Sequence, residues 1–317
     1  MTWLLYRQAD VLRPHLERLP PLPAQVRALA VADKAALVAQ TLMAFSGQAA
    51  AASQVHAADS VAKAVASGRR VVETSLGALS FLLKPGDRSC TELVMGDIGT
   101  PAAIPDDAEP GANVVVLELP GHGASSGFAP LDILSGTWLR ALPEALQSLG
   151  VDGVHLRGKG GACAFAAALA LLLGPRCRRL SLTDPMPLTA DERAQFLSGL
   201  PDWQPQATGA HLIAAWNWAR LQHLFWPWLP ADADAAIAAA APPPRRVHAD
   251  VVEMLRAGPL WAALWQAALE SDTWPAVRRA PFELRVLSGS SQQRMALAAR
   301  LGGEGLVRTT LAPVVNR

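Results

Sequence analysis

The stretch VDGVHLRGKGGACAFAAALALLLG, residues 151–174, constrains the fold more than any other part of the chain. It reads as a short β-strand, a glycine turn and a helix that closes on Gly174. The helix, which starts at Ala162, is apolar on every side, so other elements have to wrap it. It is too short to cross a bilayer, which leaves the interior of a layered α/β protein as its place.

The same alternation continues on both sides. RRVVETSLGALSFLLKPGD, from Arg69, reads as two strands around a Leu-Gly turn, most simply a hairpin. CTELVMGDIGTP is a short strand ending in a Gly-Asp turn, and ANVVVLELPGHGASSG is a continuous apolar run closed by Pro-Gly, as in a strand buried on both faces. GTWLRALPEALQSLG has helical spacing and ends on Gly150; RRLSLTDPMPLT and APFELRVLSG read as later strands. The pattern predicts an α/β protein with a mostly parallel sheet and helices on both faces.

A chain of 317 residues, 51% of them hydrophobic, can fill such a core. A net charge of +1 gives no electrostatic footprint for nucleic acid. The cysteines, Cys90, Cys163 and Cys177, are odd in number and lack metal-ligand spacing. MTWLLYRQADVLRPHLERLP has no basic stretch and no apolar run suited to export, so the expectation is a cytoplasmic protein with no membrane partner, metal or cofactor.

Residues 199–274 differ in character. Eight of the ten tryptophans lie there, including Trp203, Trp216, Trp218, Trp226, Trp261 and Trp265, in a helical pattern broken by AAIAAAAPPPRR. This reads as a helical insertion between late strands of the sheet. Its tryptophans suit helix packing and a ligand-facing wall equally well.

These motifs together resemble the α/β-hydrolase family over roughly residues 70–311. VVVLELPGHGASSG is similar to that family's strand and Pro-Gly-His-Gly loop, and VHLRGKGGACAFAAALA to its nucleophile elbow. GAHLIAAWNWARLQHLFWPW resembles the cap helices of some members. The resemblance divides the chain into a core at 70–198, a Trp-rich cap at 199–274 and the end of the core at 275–317.

The elbow normally presents a serine hydroxyl at the centre of Gly-x-Ser-x-Gly. Carried onto this chain, Gly158 comes first, Lys159 second, Gly160 takes the serine position and Ala162 comes last. Where the triad acid is usual stands Gln292, and no histidine follows His248. The family's His-Gly after the third strand reads Gly96-Asp97, whose carboxylate would repel a developing oxyanion unless protonated or turned away. The resemblance therefore implies a fold that has lost the serine reaction.

Residues 1–47 resemble the end of such a fold rather than its beginning. TWLLYRQADVLRP is similar to the strand that delivers the triad acid, which falls on Asp10, and AQVRALAV to the final strand. The readings are the tail of a degenerate second copy, a permuted chain completing its own sheet, or an unrelated helical extension. Residues 48–69 read as linker or helix.

The turn itself, with Gly96, Asp97, Lys159, Gly160 and Gly161, is expected to offer free amides to a small anion. His211, Trp216 and Trp226 are the insertion's candidates for ligand contact. Cys163 sits on the first helical turn and reads as a small core residue before it reads as a nucleophile. His122 is a structural loop residue by resemblance, and His155 and His223 fit packing or solvent. Gly158-Lys159-Gly160-Gly161-Ala162-Cys163, with Asp184 after the next strand, also roughly follows a dinucleotide fingerprint, although a cysteine replaces its third glycine.

The sequence therefore predicts a pseudo-hydrolase that binds a hydrophobic small molecule, a hydrolase partner or a second copy of itself. The enzymatic alternative is a hydrolase or lyase acting on a hydrophobic small molecule with Asp97, Asp184 or a cap histidine as acid and base.

Overall fold

A computed structural model describes residues 68–186, 188–201, 203, 205–225, 242–271, 273–277 and 279–287. Asp10, Trp226, Gln292 and the segments 1–47 and 48–67 lie outside the described residues.

The strands are β1 (Arg69–Glu73), β2 (Ala78–Lys84), β3 (Asp87–Met95), β4 (Ala112–Glu118), β5 (Val154–Lys159), β6 (Cys177–Thr183) and β7 (Glu283–Leu287). They form one sheet in the order β1-β2-β4-β3-β5-β6-β7. β1 and β2 form the expected hairpin, and β2 runs antiparallel to both neighbours while β3 to β7 are mutually parallel. In β4 the consecutive residues Val114, Val115, Val116 and Leu117 are all buried, as a continuous apolar strand covered on both faces requires.

The described helices are α1 (Pro130–Leu134), α2 (Ala141–Ser148), α3 (Ala162–Leu173), α4 (Ala190–Ser198), α5 (Ala210–Leu224), α6 (Pro244–Ala257), α7 (Pro259–Glu270) and α8 (Trp274–Val277). The single helix expected over 136–150 is two pieces, a 3₁₀ turn at Thr137–Arg140 and then α2, preceded by Gly136 at φ +69°. α3 buries nine of its twelve residues, the outcome its uniform apolarity demanded. It lies so close to β5 that a Cβ on Gly158 would sit 2.8 Å from the Ala166 methyl and 3.0 Å from Cys163 Cα.

The chain divides into two compact units, Gly68–Leu200 with Pro259 onward, and a second that includes Pro201–Gly258. The first contains the sheet, α1 to α4, α7 and α8. In the second, α5 buries His211, Leu212, Ala215, Trp218 and Ala219, and α6 buries Val247, Asp250, Val251, Met254 and Leu255. Both sets follow the i, i+3, i+4, i+7 spacing of one helix face. The fully buried Asp250 is held by His223 Nε2 at 2.7 Å and Arg246 Nε at 3.4 Å, which offsets the cost of an interior carboxylate. No described helix is long and apolar enough to cross a membrane.

Candidate functional site

Register brings three loops together. Met95, Gly158 and Leu182 lie on one row of the sheet, so the chain leaves β3 at Gly96, β5 at Gly160 and β6 at Asp184 along the same carboxyl edge. β3 connects outward to β4 and β5 to β6, in opposite directions. Such a reversal opens a crevice at strand ends, where ligands collect in open α/β sheets.

The turn after β5 has elbow geometry. Gly160 adopts φ +55°, its amide donates to Thr183 O at 2.9 Å, and Gly160 and Gly161 carbonyls accept the first bonds of α3 from Cys163 and Ala164. A glycine at the left-handed corner is easily accommodated.

Asp97 fills the space above this corner. Its Oδ1 accepts hydrogen bonds from the Ile98 amide at 2.8 Å and the Gly161 amide at 3.0 Å. A Cβ built on Gly160 would overlap the Asp97 carboxyl group, both oxygens and the carboxyl carbon included. The expectation of free amides at this turn is thus corrected: the Gly161 amide is already bonded to the chain's own carboxylate. Nor is Asp97 turned away, as an oxyanion there would have needed; it occupies the anion's place. The same bond removes a donor that the dinucleotide reading would assign to a pyrophosphate.

The Asp97 loop is held on several sides. Thr100 donates to Asp97 O through its amide at 3.2 Å and its hydroxyl at 2.8 Å. The Gly99 amide donates to His122 Nε2 at 2.9 Å, so the imidazole proton resides on Nδ1 and is shared with Pro120 O at 3.1 Å. His122 is therefore a structural residue that fixes the loop. Further along, Asp107 pairs with Arg157 at 2.7 Å and the Glu109 amide donates to Glu92 at 2.8 Å, tying the loop to the sheet face.

Burial pushes the Asp97 carboxyl up to about 6, and the charge of Asp184 adds to this. Lys159 and the two amides pull the other way. Lys159 is exposed at the end of β5, and Asp184 adopts φ +49° with its amide donating to Leu287 O at 2.9 Å. Gly96 lies half-buried at the end of β3 with nothing but Thr100 Oγ1, at 3.8 Å, near its absent Cβ.

Trp265 of α7 forms the apolar wall. A Cβ on Gly161 would lie 2.5 Å from Trp265 Cζ3 and 2.7 Å from Ile98 Cδ1. Trp265 is fully buried and packs against Phe196 with ring centroids 5.2 Å apart and edge-on to Trp261 at 6.4 Å. Ile98 and Trp265 escaped the sequence reading, because nothing local marks a backbone donor or a distant indole.

Other candidates fall outside this cluster. Cys163 is buried, its thiol donates to Thr183 O at 3.4 Å, and burial with the nearby Asp97 and Asp184 charges pushes it well above the usual thiol range. It has no nucleophilic character. His211 is buried in the second unit, its Nδ1 accepting from the Gln206 amide at 3.1 Å, while Trp216 is half-buried on α5. His155 is half-buried within β5, its imidazole held below the usual range by burial and by Arg179.

No protein-family model and no curated protein matches the chain. Solved structures do. An esterase from Thermogutta terrifontis aligns at 15% identity and TM-score 0.55, over 78% of this chain and 89% of that one. The enol-lactonase from Burkholderia xenovorans LB400 aligns at 16% and 0.52, over 78% and 91%. A hydrolase from Pseudomonas aeruginosa PA01 aligns at 21% and 0.50, over 78% and 90%. With the strand order and the elbow turn, these define the class: the protein has the α/β-hydrolase fold.

Proposed function

We propose that this protein is a non-catalytic member of its fold class, acting through binding or protein interaction. One observation carries the reading: Gly160 supplies no nucleophile, and the Asp97 carboxylate covers it while bonding the Ile98 and Gly161 amides. In an acyl-transfer elbow those donors point at the developing oxyanion. Here they are spent on a resident negative charge, so an ester carbonyl has neither attacker nor cradle. The occupants suited to such a protein are a hydrophobic small molecule, a hydrolase partner or a second copy of the chain. The test uses the full chain with short p-nitrophenyl esters and a fluorophosphonate probe. The reading expects hydrolysis at the buffer rate and no covalent adduct; ester turnover abolished by Asp97→Asn would overturn it.

A second reading is favoured by Asp97 itself. Its Oδ2 has no hydrogen bond to a described residue, and a carboxyl that titrates near 6 can act as a general base. In this reading the chain is a serine-independent hydrolase or lyase acting on a hydrophobic small molecule, with Asp97 taking a proton from water or substrate. It predicts turnover that rises through pH 6 and vanishes in Asp97→Asn.

A further inference from the structure

We propose that the Ile98 and Gly161 amides form a carboxylate seat in which Asp97 is an exchangeable internal occupant, displaced by a small external carboxylate when Asp97 takes up a proton. This deepens the binding role proposed above and rests on it.

The seat is observed with a ligand in place. One carboxylate oxygen lies 2.8 and 3.0 Å from two amides belonging to different loops, with α3 starting directly behind Gly161. Paired amides at the head of a helix favour a negative group. That a carboxylate sits there, drawn from 64 residues away in sequence, shows what the donors select.

The occupant can leave without unfolding the loop. The bonds that hold the loop run from Thr100 to the Asp97 carbonyl and from the Gly99 amide to His122, and none uses the carboxyl group. Rotation of the Asp97 side chain vacates the seat while the Ile98 amide stays in place. Gly160 has no side chain to fill the space released.

Protonation supplies the bias. The proton comes from solvent and goes to Oδ2, the oxygen without an amide partner among the described residues. A neutral carboxyl accepts more weakly from the amides than a carboxylate does. The charged and titratable groups facing Asp97 are Lys159 from β5, Asp184 from the end of β6 and the Cys163 thiol from α3. His122 meets the loop through Gly99, and α7 contributes the uncharged Trp265. Lys159 remains to attract an incoming anion. With Asp97 titrating at about 6, the neutral fraction falls from most of the population at pH 5.5 to roughly one per cent at pH 8.

Formate tests this, because it stays ionised at both pH values. Binding to the full chain is followed by NMR through the Ile98 and Gly161 amide resonances. The expected result is an apparent affinity tens of times stronger at pH 5.5 than at pH 8, and pH-independent binding in Asp97→Ala. Equal affinity at both pH values in the native chain, or no formate-induced shift at either amide, overturns the proposal. Ester hydrolysis, the test of the non-catalytic reading, is scored separately, so either idea can fail alone.

Discussion

The carboxyl group of Asp97 lies where a side chain on Gly160 would begin, so the two positions exclude one another's ordinary occupants. A serine at 160 needs Asp97 gone, and Asp97 in its seat needs a glycine at 160. Steric exclusion and donor saturation thus come from one contact, and both oppose acyl transfer.

Gly160→Ser alone should therefore destabilise the fold by about 1–3 kcal/mol, the usual range for overpacking, and create no hydrolase. Asp97→Gly in the same chain should recover much of that loss. Chemical denaturation of the two single variants and the double variant would show a favourable coupling above about 0.5 kcal/mol if the residues share one space. Simple additivity would contradict the geometry.

Much of the fold was legible in the sequence. The β-branched run of β4, the turn at residues 74–77 and the wholly apolar α3 each dictated where they could sit. Gly160 was readable as an empty position, and Asp97 as an unusual residue in the loop after β3. Their meeting was not, because a carboxylate bonded to an amide 64 residues away leaves no local periodicity to detect. The available signal was joint: a side chain missing at one position and a charged one gained at another. Trp265 was noticed only as one tryptophan among many, since spacing along a helix does not tell which indole covers a distant glycine.

Asp97 should also couple stability to pH. Its carboxyl ionises near 3.8 in an unfolded chain and near 6 in the fold, so folding takes up a proton between those values. The stability this group confers is fully present below 3.8 and is lost as pH rises through 6. Asp97→Asn, which cannot ionise, should gain on the native chain by at most about 3 kcal/mol between pH 4 and pH 8. Parallel pH dependence of the two denaturation midpoints would remove Asp97 as the cause.

The indole wall should be costly to remove. Trp265 is fully buried against Phe196, Trp261 and the Gly161 backbone, so Trp265→Ala should lose about 3–5 kcal/mol on unfolding. A loss below about 1 kcal/mol, measured by denaturant titration, would mean that this packing is absent in solution.

Cys163 should be inert. Its thiol is buried, bonded to Thr183 O and held well above the usual range, so iodoacetamide at pH 8 should leave it unmodified in the folded chain and label it after unfolding. Rapid labelling of the native protein, read by peptide mass spectrometry, would restore it as a reactive group.

The central claim, that Asp97 is the anion seated on the elbow, is tested most directly by its own titration. Carbon-detected NMR of the Asp97 carboxyl, followed together with the Ile98 and Gly161 amide protons, would show one shared midpoint near pH 6 if the carboxylate occupies the seat. A midpoint near the ordinary aspartate value, with neither amide following it, would contradict the account.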